Sequence, residues 1–174
     1  MNFYFNYIQY LSILVLQASS AGIARCSIRM GDLRRGIQLA NNNPSKSVKK
    51  ECGEILDKMK QYKEAGELFI KAECWEKGAA SYLRAKLLNK VGDIIHRVDS
   101  VKIHQAYAKA RENEGNVDQA LDAYNRAGDH EARIRLLLSK NRPIEAEEIV
   151  REHDSTEGAN LGKFTIRKYS QRLK

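Results

Sequence analysis

Four histidines, His96, His104, His130 and His153, and three cysteines, Cys26, Cys52 and Cys74, are the side chains of this 174-residue chain best suited to hold a metal or relay a proton. Neither set has the spacing such chemistry uses. There is no CxxC pair to seed a zinc site and no HExxH on which two imidazoles would share a helix face. Each histidine is therefore expected to be an ordinary surface or interhelical imidazole. Three widely separated cysteines make no disulfide framework, so a reducing compartment is the default. Cys52 falls on an apolar face, where a free thiol acts as a small hydrophobe. Glu145, Glu147, Glu148 and Glu152 crowd one helical stretch, but carboxylates near a helix N-terminus favour its dipole and need no catalytic explanation. No GxxxxGK[ST], GxGxxG or GxSxG string occurs. The expected catalytic, cofactor-binding and metal-ligating residues are none, with no cofactor and no enzyme. What remains is Arg25, Arg29, Arg34 and Arg35, the densest cationic group. A solvated face is the ordinary reading of these arginines; the sharper one is a docking surface for an acidic partner.

The elements that would carry these residues follow one ruler. Tyr62, Ala65, Phe69 and Ala72 stand at offsets 0, 3, 7 and 10, and Trp75, Gly78, Tyr82 and Ala85 repeat them 13 positions later. On a helix these positions share a face, and large residues alternating with small ones let short helices lie close. The same step fits Lys49, Cys52, Leu56 and Met59, and also Leu88, Val91, Ile95 and Val98. It weakens at Val101, His104, Ala108 and Arg111, then restarts at Val117, Ala120, Tyr124 and Ala127. It is poor again at His130, Arg133, Leu137 and Lys140, where Ala132, Ile134 and Leu136 imply that a different face turns inward. Pro143, Ala146, Val150 and His153 end the series. Such a degenerate series of short helices predicts an all-α fold, a TPR-like α-solenoid of antiparallel helical hairpins.

Local signals place the joints. Met30-Gly31-Asp32 supplies a glycine stop and an aspartate cap, and Asn41-Asn42-Asn43-Pro44-Ser45 breaks one helix and caps another. That next helix, about Ser45 to Lys60, sets Glu54 four residues before Lys58, a favourable exposed pair. Tight turns are expected at Lys60-Gln61, Glu73-Cys74 and Lys86-Leu87. Val98-Asp99-Ser100 caps a helix running to about Asn113, Gly115-Asn116 and Gly128-Asp129 bound the next, and Pro143 opens another. A short final helix is expected after Asp154-Ser155.

Composition allows one domain with a sizeable core. The formal charge of +8 is unevenly spread: +6 over residues 25–50, −5 over 113–162 and +5 over 163–174. Without an aromatic-rich strand or a binding motif beside the cations, nucleic acid is not an expected partner. The first 24 residues carry no charge. They lack the basic start of a signal peptide and are short for a membrane span, so direct membrane insertion is not expected. The division is residues 1–20, apolar; 21–162, the helical repeat; and 163–174, a frayed basic tail.

Several strings carry a family resemblance: SIRMGDLRRG (27–36), CGEILDKMKQYKEAGELF (52–69), KVGDII (90–95), SVKIHQAYAKARENEG (100–115) and IVREHDSTEGA (149–159). In order, they resemble the TPR-like solenoid of the WD-repeat subunits of intraflagellar transport complex A, across about residues 21–160. The resemblance implies a non-catalytic scaffold that supports cilium assembly and retrograde transport, at the ciliary base and axoneme and in the cytoplasm. Its implied partners are other complex A subunits, with no small-molecule substrate. It attaches no catalytic or ligand residue to this region. Residues 1–20 and 163–174 do not resemble the family, nor are its propellers or cysteine-rich region present, so an internal slice of a longer protein is expected. Residues 1–24 would then cover a cut end of the stack. An adaptor solenoid of vesicle coats or other cytosolic trafficking, and a basic RNA-binding repeat, are the alternative readings.

Overall fold

The structure is a computed structural model and describes residues 19–154. The expectations for a leader or covering segment before residue 19, for a helix after Asp154 and for the basic tail lie outside the described residues. The chain divides into two compact units at Asp99–Ser100.

The first unit holds α1 (19–29), α2 (Leu33–Asn42), α3 (Lys46–Lys58), α4 (Tyr62–Lys71), α5 (Trp75–Arg84) and α6 (Leu88–Ile94), the last running into a 3-10 turn, Ile95–Arg97. The second holds α7 (Val101–Asn113), α8 (Val117–Arg126), α9 (His130–Ser139) and α10 (Pro143–Asp154). No strand occurs among the described residues. Within each unit successive helices pack on one another, the helical-hairpin stack of a TPR-like solenoid.

Seven of the described helices stop where they do because of one recurring turn. Gly31, Lys60, Glu73, Lys86, Gly115, Gly128 and Asn141 all have positive φ, between 58° and 89°. At each, the following N–H reaches back to the carbonyl five residues earlier: Gln61 to Leu56 at 2.9 Å, Cys74 to Phe69 at 2.8 Å, Leu87 to Tyr82 at 2.9 Å. This closure satisfies carbonyls that the helix end would leave bare. The 13-residue step thus governs the turns (60, 73, 86 and again 115, 128, 141) as well as the apolar faces. The caps are less regular. Asp32 and Asp129 accept from Arg35 N and Ala132 N, but Ser45 and Ser100 make no side-chain cap bond. Instead Asn43 Oδ1 accepts from Ser45 N at 2.9 Å.

Consecutive helices of the first unit run antiparallel, since contacting residues lie equally far from the joint. Gly53 faces Phe69 across Gln61, and Gly66 faces Tyr82 across Cys74, eight residues to either side. A Cβ on Gly53 would sit 2.9 Å from Phe69 Cε1, and one on Gly66 would sit 2.6 Å from Tyr82 Cδ1. These two glycines are what admits the rings.

The inner positions of the ruler are buried throughout the first unit. Cys52, Leu56, Ala65, Leu68 and Phe69 pack with Ala24, Ile28 and Ala40 of the preceding helices. Leucines such as Leu56 and Leu68, fully inaccessible, each contribute about 1.5–3 kcal/mol by leaving water. In the second unit Ile134, Leu137, Ala146, Ile149 and Val150 form the core between α9 and α10. Ile134 and Leu136 are buried as expected, but Ala132 is only half-buried and the ruler's own Leu137 is buried too, so the inward face of α9 is widened and not replaced.

Candidate functional site

The titratable candidates among the described residues do not converge. His96 is exposed, its Nε2 facing Arg97 Nε at 3.3 Å; His104 is buried on α7; His130 opens α9 half-buried. The side chain of His153 is outside the described set. All three cysteines are free. Cys52 is wholly inaccessible, and burial pushes its thiol upward against the opposing pull of Arg25. Among the described residues no group of three or more His, Cys, Asp or Glu side chains is placed to hold a metal, and no helix is long and apolar enough to cross a membrane.

The charged residues do something else: they tie alternate helices together. In the first unit, Glu54 of α3 receives Lys77 of α5, and that ammonium lies 5.9 Å from the ring centroid of Phe69 on α4. Thirteen residues on, Glu67 of α4 receives Lys90 of α6 at 2.7 Å, with the ammonium 5.3 Å over Tyr82 of α5. The bridge holds the Glu54 carboxyl below its usual range and the Lys90 ammonium above its own. Each ring is therefore pressed against a glycine of the helix before and covered by a lysine from the helix after. Glu54 is bound to Lys77 and not, as the i,i+4 spacing suggested, to Lys58. Asp57 of α3 takes both Ser81 Oγ, at 2.9 Å, and Arg84. These bridges are 27–49% exposed, so each is worth at most about 1 kcal/mol, and their effect is on register more than on stability.

The second unit repeats the device. Arg135 Nη2 of α9 donates to Glu112 of α7 at 2.8 and 3.2 Å, and Tyr124 Oη of α8 donates to the same carboxylate at 2.7 Å. These residues, with Lys109, Asn113 and Asp129, line a cavity of about 480 Å³. Burial, then the Glu112 acceptor, raises the Tyr124 phenol to about 12, so it stays protonated and serves as a donor, not a base. On α10 the acidic turn is partly neutralised by the Arg142 guanidinium, which grips Glu145 at 2.6 Å through both Nε and Nη2 and reaches Asp118 of α8 at 3.3 Å.

The four arginines part company. Arg25 is drawn into a 2.6 Å bridge with Glu51 of α3. Arg29, Arg34 and Arg35 flank the α1–α2 turn, exposed, and no ion pair joins them to any described carboxylate. Met30, between them, is 85% exposed. The helix-to-helix bridges were missed by sequence reasoning, although they had a signal. Gly53-Glu54 and Gly66-Glu67, Phe69 and Tyr82, and Lys77 and Lys90 each recur at the step of 13.

No protein-family model matches the chain. Curated proteins do. WD repeat-containing protein 19 of Homo sapiens is 44% identical over 146 residues, 83% of this chain and 11% of that protein. The WD repeat-containing protein 19 of Mus musculus is 44% identical over 142 residues, and the WD repeat-containing protein dyf-2 of Caenorhabditis elegans 42% over 149 residues. The chain thus spans about 11% of the length of the curated relatives it matches. Among solved structures, MamA of AMB-1 is 14% identical with a TM-score of 0.48, covering 84% of this chain and 96% of its own. MamA of Desulfovibrio magneticus RS-1 is 13% identical with a TM-score of 0.45, covering 82% and 97%. Those two likenesses are too distant to bear on function.

Proposed function

Over its helical stack this chain belongs by sequence to the WD repeat-containing protein 19 family, and from that premise we propose that it is a non-catalytic scaffold segment of an intraflagellar transport complex A subunit. It supports cilium assembly and retrograde ciliary transport, and works in the cilium and the cytoplasm. The observation that carries the reading is the identity of 42–44% maintained across more than four fifths of the chain. The charged side chains fit it, because many of them are engaged in bridges between alternate helices that hold the stack in register. A stack of short helices offers a long surface at fixed spacing, which suits docking of other subunits. Within it, Arg29, Arg34 and Arg35 are exposed and in no ion pair with a described carboxylate, and so are available to an acidic partner. Arg25 backs them from its bridge to Glu51.

The test uses the full chain as bait in ciliated cells. Recovery of complex A subunits, reduced by Arg34→Glu with Arg35→Glu, is the expected result. Recovery of vesicle-coat components instead would replace this reading with that of an adaptor solenoid. Strong, salt-dependent retention of RNA would replace it with the nucleic-acid reading.

A further inference from the structure

We propose that one edge of the first unit, where α1 turns into α2, α3 into α4 and α5 into α6, is a docking strip for an extended acidic protein segment that carries apolar side chains. This deepens the scaffold reading and rests on it.

The edge follows from the bridges. Arg25 to Glu51 joins α1 to α3, and Glu54 to Lys77 and Asp57 to Arg84 join α3 to α5, all at separations of 23 to 27 residues. Alternate helices are therefore parallel, and successive turns fall on opposite edges. On one edge several cations are engaged, although Lys49 and Lys50 are in no ion pair with a described carboxylate: Lys46 meets Glu73 at 2.5 Å, Lys71 donates to Asn41 at 2.7 Å, and the Arg97 guanidinium lies 4.5 Å over Trp75. The other edge is different. Arg29, Arg34 and Arg35 at its first turn, and Lys58, Lys60 and Lys63 at its second, are exposed and in no ion pair with a described carboxylate. Lys86 at the third turn is alike.

Helix stability accounts for some of them, since Lys58 lies in the last turn of α3 where the dipole favours a cation, but not for the three in first turns. Arg34 and Arg35 stand in the first turn of α2, and Lys63 in the first turn of α4, where the helix dipole disfavours cations. An anion laid across these N-termini would reverse that cost. Met30 and Met59, exposed between the cations, add adaptable apolar contacts. Ser81 Oγ of α5 reaches Asp57 of α3 at 2.9 Å, so alternate helices are themselves neighbours with axes roughly 8–10 Å apart, and three tips span roughly 20 Å. An extended chain covers that in about 6 residues. Single-stranded RNA would need a bare aromatic platform, but Tyr62 at this edge already lies under Arg84, 5.7 Å away. A membrane-surface helix presents its long face, whereas these helices meet the edge by their ends.

The probe is a fluorescein-labelled 12-residue peptide of glutamates interspersed with leucines, titrated into the full chain and read by anisotropy. Arg34→Glu, Arg35→Glu and Lys63→Glu together are expected to weaken it at least tenfold. Lys46→Glu, Lys49→Glu and Lys50→Glu, the same change of net charge at the opposite edge, should weaken it less than threefold. A three-residue version should bind at least tenfold more weakly. Equal losses from the two triple variants, no binding of the longer peptide, or loss only of phosphatidylserine vesicles or poly(U) in the tip variant would overturn the strip. Circular dichroism checks that both variants fold; if the tip variant does not, Arg34→Gln with Lys63→Gln makes the same comparison. A tip variant that loses the peptide yet recovers complex A subunits undiminished overturns the strip and leaves the scaffold reading. A wild-type chain that binds the peptide and recovers no such subunit does the reverse.

Discussion

Replacing Gly66 with alanine should destabilise the chain, although alanine is by far the better helix former. In water the exchange inside a helix is worth about 1 kcal/mol in favour of alanine. Here the new Cβ would stand 2.6 Å from Tyr82 Cδ1 and 3.1 Å from Cζ, both inside van der Waals contact. The ring has little room to retreat, being 5% exposed and covered by Lys90, itself bound to Glu67. Overpacking of this kind costs about 1–3 kcal/mol, so the net expectation is a loss of up to about 2 kcal/mol. Gly22 on α1 is the control, because a Cβ there meets nothing within 4 Å and Gly22→Ala should stabilise. For a chain of this length a kcal/mol moves Tm by about 2–4 °C, which puts the two variants about 2–12 °C apart in a calorimetric or dichroism melt. Tyr82→Leu should cost less in the Gly66→Ala background than in the wild type, a coupling of at least about 0.5 kcal/mol in a double-mutant cycle. A Gly66→Ala variant that melts as high as Gly22→Ala, or a cycle with no coupling, would refute the close approach of α4 and α5.

Lys86→Gly should stabilise by about 0.5–1 kcal/mol in urea unfolding, because its φ of 58° suits glycine better than a side chain with a Cβ. Tyr124 should ionise near pH 12, well after a free phenol, in an ultraviolet titration, and Tyr124→Phe should remove that late step. Since the folded chain holds this proton more tightly than the unfolded chain, the associated stability is intact below about pH 10 and is lost as the pH rises through about 12. A thiol reagent should label exposed Cys26 at once and reach Cys52 only on unfolding, which a labelling time course with and without urea would read.

The weakest stretch of the ruler shows where sequence patterning stops. Val101, His104, Ala108 and Arg111 lacked the apolar character of the other helices, yet His104, Ala108 and Arg111 are all buried and only Val101 is open, at 50%. The register held while the residue types changed. Arg111 is tolerated because Tyr107 Oη accepts from its Nε at 3.0 Å and Glu114 from its Nη1 at 2.8 Å. Hydropathy alone marks such a position as exposed. Only the placement of acceptors around it makes its burial affordable. The Glu54–Lys58 pairing failed for a related reason, because a partner on α5 outcompeted the neighbour on the same helix.

By itself, the sequence determined the class of fold and the site of nearly every joint, but not that the helix from Leu88 gives way to a 3-10 turn at Ile95. Those features depend on local periodicity and on which residues accept a left-handed turn, both written within a dozen positions. Tertiary structure alone decided which charges are bound and which are left free. An arginine at 25 and one at 29 look alike along the chain, yet the first meets Glu51 and the second faces water. Ion pairing depends on distances across helices 23 to 27 residues apart, and those are fixed only when glycine, ring and turn have set how closely the helices stack.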